Sequence, residues 1–122
     1  MPIKKKTLPA VTVSAAAGQS VFLTITIGNA QIGASLVKFV DNTTLFAKGT
    51  IHTLLLGKAE ELNERTLQVI TNVLDANPST NKVVVLHEFK NASPESLEYD
   101  DEVPNEGDIL SLTRSFTFKL LQ

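Results

Sequence analysis

The residues best able to do chemistry crowd into SPESLEYDDEVPNEGD, Ser93 to Asp108. Glu95, Glu98, Asp100, Asp101, Glu102, Glu106 and Asp108 are seven of the chain's 13 acids, and no base stands among them. Carboxylates at this density can hold a divalent ion or attract a basic partner, and can act as acids and bases once burial tunes their pKa. The plainer expectation is a solvated acidic loop over 93–108, longer than the usual connection. Tyr99, the single tyrosine, sits inside the run and, with Asp100, Asp101 and Glu102, forms the expected contact group for a protein partner.

A second stretch, DANPSTN, spaces Asp75, Asn77, Ser79 and Asn81 like the first ligands of a calcium loop. The glycine and glutamate that complete such a loop are replaced by Thr80 and Leu86, and Pro78 intrudes. A looser inter-strand calcium site on Asp75, Asn77 and Asn81 is the only cofactor the sequence suggests, against a plain turn as the default.

Other chemistry is poorly provided for. His52 and His87 are the only histidines, both among apolar neighbours, and cysteine is absent, which removes thiolate metal sites, thiol catalysis and disulfides. GNAQIGAS, Gly28 to Ser35, matches a phosphate-binding loop at both glycines and the serine but has Ala34 where the lysine belongs. The run SLVKFV, Ser35 to Val40, is too β-branched and short for the required helix, so GNAQIGAS is expected to be a turn whose glycines permit positive φ. No nucleophile elbow, zinc-protease motif or dinucleotide fingerprint occurs, so no catalytic residue is assigned. Without tryptophan and with one tyrosine, an aromatic sugar platform is not expected either.

The elements that must position these residues are strands. In SVFLTITI, Val21, Leu23, Ile25 and Ile27 fall on one face with Phe22, Thr24 and Thr26 on the other. Near the C-terminus Leu110, Leu112, Phe116, Phe118 and Leu120 alternate with Ser111, Thr113, Ser115, Thr117 and Lys119. GASLVKFV, GTIHTLLLG and NKVVVLHEFK add further β-rich runs. Residues 66–75 read as a strand, and DANPSTN as a hairpin loop joining it to KVVVLHEF. The polar connection at 58–65 has the composition for one short helix, and a longer helix over 58–77 is the competing pattern.

At 122 residues, 43% hydrophobic and 20% charged, the chain fits one globular domain. The sequence therefore predicts an all-β antiparallel sandwich, immunoglobulin-like or jelly-roll-like, of about seven to nine strands over 11–122, after a basic tail at 1–10. A net charge of -2, with Lys4-Lys5-Lys6 as the only basic cluster, argues against nucleic acid, and no apolar run is long enough to span a membrane. The start imitates a secretory leader, but Pro9, Thr12 and Ser14 interrupt its apolar region, which favours a cytoplasmic chain.

Leu54–Leu56 and Val83–Leu86 are apolar on both strand faces, and a sandwich leaves the second face in need of a cover. Leu55 and Val84 are therefore expected at an interface. The last run, Ile109 to Leu121, would extend about 43 Å, so it should bend, change sheets or reach toward a partner. Arg114, on its apolar parity, marks a break there or a partner for a loop acid. The function this pattern supports is non-catalytic: a binding or assembly module that self-associates or holds another protein through sheet faces, a strand edge and the acidic loop. The alternatives are a small-ligand or divalent-ion binding sandwich and, third, a hydrolase with dispersed carboxylates.

Overall fold

The computed structural model describes residues 2–121. Among them ten strands and one short helix run in the order β1 (Ile3–Thr7), β2 (Val11–Ala16), β3 (Ser20–Ile27), β4 (Ile32–Phe39), β5 (Ala47–Gly49), β6 (Leu54–Lys58), α1 (Ala59–Leu62), β7 (Thr66–Leu74), β8 (Lys82–Lys90), β9 (Ser96–Glu102) and β10 (Ile109–Leu121). They build an all-β sandwich. The larger sheet has the order β1-β10-β7-β4-β5 with β2 also on β10, and the smaller one β6-β3-β8-β9.

The period-two pattern sets which side chains meet between the sheets. Leu67, Val69 and Val73 of β7 and Leu110, Leu112, Phe116 and Phe118 of β10 are buried from the larger sheet; Val21 and Leu23 of β3 and Val83, Val85 and Phe89 of β8 are buried from the smaller. Phe89 bridges the layers, its ring 4.9 Å from Phe116 and edge-on at 78°. Helix α1 closes one end of the sandwich with buried Ala59 and Leu62, and its first turn is fixed by Glu61 Oε1 accepting from the Lys58 N–H at 3.0 Å.

Several expectations change. Ten strands exceed the expected range because the basic tail and the acidic loop each contain one. Lys4–Lys6 do not lie in a tail: β1 runs parallel to β10 over Ile3–Thr7 and Ile109–Thr113. Within 93–108, Ser96–Glu102 pair antiparallel with β8, because Leu97 and Tyr99 alternate with the acids and turn toward the core. The DANPSTN segment is not a hairpin loop. It carries the chain from the larger sheet to the smaller, since β7 pairs with β4 and β10 while β8 pairs with β3 and β9.

The last strand neither changes sheets nor overhangs. Its 13 residues are matched by two parallel partners in succession, β1 as far as Thr113 and β2 from Phe116 onward. Arg114 marks no sheet crossing of the strand; it stands opposite the gap between these two partners and forms no ion pair with a loop acid among the described residues. A bulge between Val21 and Phe22 explains the leucine run: Leu54 and Leu55 stay in register with β3, and the extra residue, Leu56, turns into the core.

Candidate functional site

The predicted contact residues fall in three places: Val84, Asp100 and Glu102 on the outer face of the smaller sheet, Tyr99 and Asp101 on the inward face of β9, and Leu55 at the far edge. Val84 of β8 and Asp100 of β9 are register partners, flanked by the pairs Leu86–Glu98 and Lys82–Glu102. On the outer face of the smaller sheet this makes a half-buried apolar strip, Val84 and Leu86, beside an exposed acidic row, Glu98, Asp100 and Glu102. A shallow hollow of about 410 Å³ lies over Val84, bordered by Asn29, Lys82, Asp100 and Glu102. Leu55 is exposed but belongs to β6, at the opposite edge of this sheet, where it faces Phe22.

The strand alternation splits the acids of β9 into two populations. Glu98, Asp100 and Glu102 face water without an ion-pair partner among the described residues. The Glu98 carboxyl is held above its ordinary pKa by a hydrogen bond to Asp100 and by that group's charge, the signature of two like-charged neighbours. Asp101 and Tyr99 face inward instead. Asp101 Oδ1 accepts from Lys4 Nζ and from the Glu102 N–H, both at 2.7 Å, and Oδ2 accepts from Tyr99 Oη at 2.6 Å. Burial opposes ionisation of Asp101, but the bonds from Lys4 and Tyr99 and the Glu102 N–H outweigh it and hold the pKa low.

The Lys4–Asp101 contact also defines the geometry of the flank. It joins the edge strand of the larger sheet to the edge strand of the smaller, so β1 and β9 lie on the same side of the sandwich. All five residues of β1 are exposed. One side of the molecule therefore carries a basic edge strand, IKKKT, next to an acidic one, SLEYDDE, each with one row of backbone hydrogen-bonding groups facing outward.

The Asp75, Asn77 and Asn81 side chains enter separate hydrogen bonds. Asp75 is buried and accepts from Gln31 Nε2 at 2.8 Å; Asn77 Oδ1 accepts from the Ser79 N–H while its amide donates to the Asn29 carbonyl; Asn81 donates to the Pro104 carbonyl. They act as turn-forming groups, and no cluster of three or more His, Asp or Glu fit to hold a metal ion occurs among the described residues. Gln31, which the sequence did not single out, organises this loop: its Oε1 accepts from the Ala76 and Asn77 N–H groups, and its amide also reaches the Lys82 carbonyl.

Only the first half of GNAQIGAS, Gly28–Gln31, is a turn, and not for the expected reason; Ile32–Ser35 already belong to β4. Positive φ falls on Asn29 and Ala30, whereas the two glycines serve close packing. A Cβ on Gly28 would lie 3.2 Å from Val84 Cβ; one on Gly33 would meet Ile27 Cδ1 and come within 2.7 Å of the Asn72 carbonyl oxygen.

A concavity of about 630 Å³ is an open groove on the smaller sheet between β3, β8 and the 91–96 connection, with Phe22, His52, Glu88, Lys90 and Glu95 on its walls. His52 is exposed there, whereas His87 is fully buried in the core beside Phe116, so the two histidines cannot act together. No helix of the described residues is long and apolar enough to cross a membrane. No protein-family model matches the chain, and no curated protein or solved structure is found to be similar to it.

Proposed function

We propose that the protein is a non-catalytic assembly module that self-associates through the side of the sandwich formed by β1 and β9. The observation that carries this is the opposite charge of two neighbouring free edges. Three successive lysines on β1 repel the β1 of another copy, and the Glu98-Asp100-Glu102 row repels another β9, so each edge discourages pairing with its own kind. A two-fold arrangement avoids both repulsions by placing β1 of each copy against β9 of the other, a self-complementary contact. Lys5, which points away from Lys4, would meet the unpaired carboxylates, while Ile3 would meet the Val84–Leu86 strip. An immunoglobulin-like or jelly-roll-like plan suits such a role, because open sheets keep lateral edges that closed barrels lack.

Light scattering on the size-separated full chain tests this. The expected result is a dimer at low salt that weakens as salt rises, since rim charges act mainly on encounter and are screened. Asp100→Lys with Glu102→Lys should give a monomer, Lys5→Glu likewise, and the combination should recover the dimer. A wild-type monomer at every concentration, or charge-reversed variants of unchanged mass, would overturn the proposal. A second reading, a small-ligand binding domain, draws on the groove around Phe22, His52 and Glu88, whose size is that of ligand sites in general. That reading expects a monomer whose melting temperature rises with its ligand.

A further inference from the structure

Arg114 occupies an inward position of β10 between Leu112 and Phe116, where the strand otherwise presents apolar side chains. Its Nε and Nη1 are enclosed and have no hydrogen-bond partner among the described residues. The same is true of both ring nitrogens of His87, which belongs to the other sheet, is fully buried and feels the charge of Arg114. Burial first, then the charge of Arg114, push the His87 pKa down to about 4, so this imidazole is neutral at physiological pH and offers one N–H donor. Tyr99, whose phenol also feels the charge of Arg114, turns its hydroxyl to Asp101 instead. Asp101 in turn is held by Lys4.

A half-buried guanidinium with two enclosed nitrogens and no ion-pair partner is costly, and so is each unpaired donor around it. The flank of the sheet is interrupted at the same height. Parallel pairing of β10 stops with β1 at Thr113 and resumes with β2 at Phe116, while Leu8, Pro9 and Ala10 span the gap. Pro9 has no N–H with which to close it.

We propose that this break is the mouth of a site for one small monoanion, a halide or a short carboxylate, held by the Arg114 guanidinium with the His87 N–H as second donor. The charge count selects the class: one fixed positive charge and one neutral donor, set among Leu112, Phe116 and Val85, balance a single negative charge. A dianion such as sulfate would carry an unmatched charge into an apolar core. Lys6 shares the parity of Lys4 on β1, opposite Leu112, and, with Lys4 engaged by Asp101, adds the positive charge that has no ion-pair partner among the described residues at this flank.

The test uses the full chain in sodium chloride, sodium acetate and sodium sulfate at equal ionic strength, with two readouts: the melting temperature and the ¹⁵N–¹H resonance of Arg114 Nε. Chloride, acetate or both should move the resonance and raise the melting temperature along a saturating curve, and sulfate should do neither. Arg114→Met, which keeps the length of the side chain without its charge, should melt alike in all three salts. A response to chloride alone identifies a halide site, and a response to acetate a carboxylate site. An Arg114 resonance unmoved by either monoanion, an equal response to sulfate, or a melting rise that survives in Arg114→Met would overturn the proposal. Where that variant fails to fold, the resonance in the wild-type chain decides.

Discussion

Lys4, on the edge strand of one sheet, donates to Asp101, on the edge strand of the other, across 2.7 Å, and the pair closes one flank of the sandwich. The lysine side chain is 43% exposed and the aspartate 15%, so the contact is partly screened. Lys4→Met should cost at most about 1 kcal/mol. Asp101→Asn also disturbs the bonds from Tyr99 and the Glu102 N–H and should cost more, roughly 1–3 kcal/mol. The pH dependence has a definite sign. Because the folded pKa of Asp101 lies below the ordinary value of 3.8, its stabilisation is complete above that value and disappears as pH falls through it toward the folded pKa. Melting curves of wild type and Asp101→Asn should differ at neutral pH and converge in strong acid.

His87, like Asp101, has a folded pKa below its ordinary value and so destabilises the fold in the same direction. Its folded pKa of about 4 lies below the ordinary 6.5, so between these values the unfolded chain binds a proton that the folded chain refuses. Stability is full above 6.5 and falls until about pH 4, by about 3 kcal/mol from a shift of this size. Urea unfolding at neutral pH and near the lower pKa measures the loss. His87→Leu, of similar bulk and without a proton to take, should lack that component of the slope.

Gln31 should prove as important to stability as many core residues. Its Oε1 accepts from the Ala76 and Asn77 N–H groups, and the two N–H bonds of its amide are shared among Asp75 Oδ1 and the Lys82 and Thr80 carbonyls. Gln31→Leu leaves buried backbone groups and Asp75 without partners, at a cost of roughly 2–4 kcal/mol. Chemical denaturation gives the figure. Hydrogen exchange should show the added opening concentrated in the 75–81 crossover.

The strands and their buried faces were legible because alternation is local information. Leu67 to Leu74 announced a strand despite a competing helical pattern, and Val83, Val85 and Phe89 announced their face. Partner choice was not legible. Residues 66–74 and 82–90 border a seven-residue turn and could have formed a hairpin; they separate because each buries its apolar face against the other layer. The Lys4–Lys6 strand carries no alternation and becomes a strand only because β10 leaves an open flank, a tertiary cause invisible in the tripeptide. Part of the candidate site was visible as composition. The acids and Val84 were named, yet nothing local says that Val84 is opposite Asp100, or that Leu55 lies at the far edge. Arg114 was visible as an exception to parity, whereas the nearness of its charge to His87 depends on how the two sheets face each other.

Gly33 separates packing from chemistry in the stretch that imitates a phosphate loop. The residue is in β4, opposite Val73, and its missing side chain leaves room for the end of Ile27 and for the Asn72 carbonyl. The Ile27 methyl can rotate away, but the carbonyl belongs to the β7 backbone and cannot yield without disturbing the ladder. Gly33→Ala should therefore destabilise by roughly 1–3 kcal/mol, as overpacking does elsewhere. Adding Ile27→Val removes one of the two obstacles and should recover part of the loss. A nucleotide-binding loop would behave differently, with the alanine variant losing a stabilisation by nucleotide that the parent shows. Melting curves of parent, single and double variants, with and without magnesium and a nucleoside triphosphate, distinguish these cases. The expected outcome is a nucleotide-independent ranking of parent, then double, then single variant.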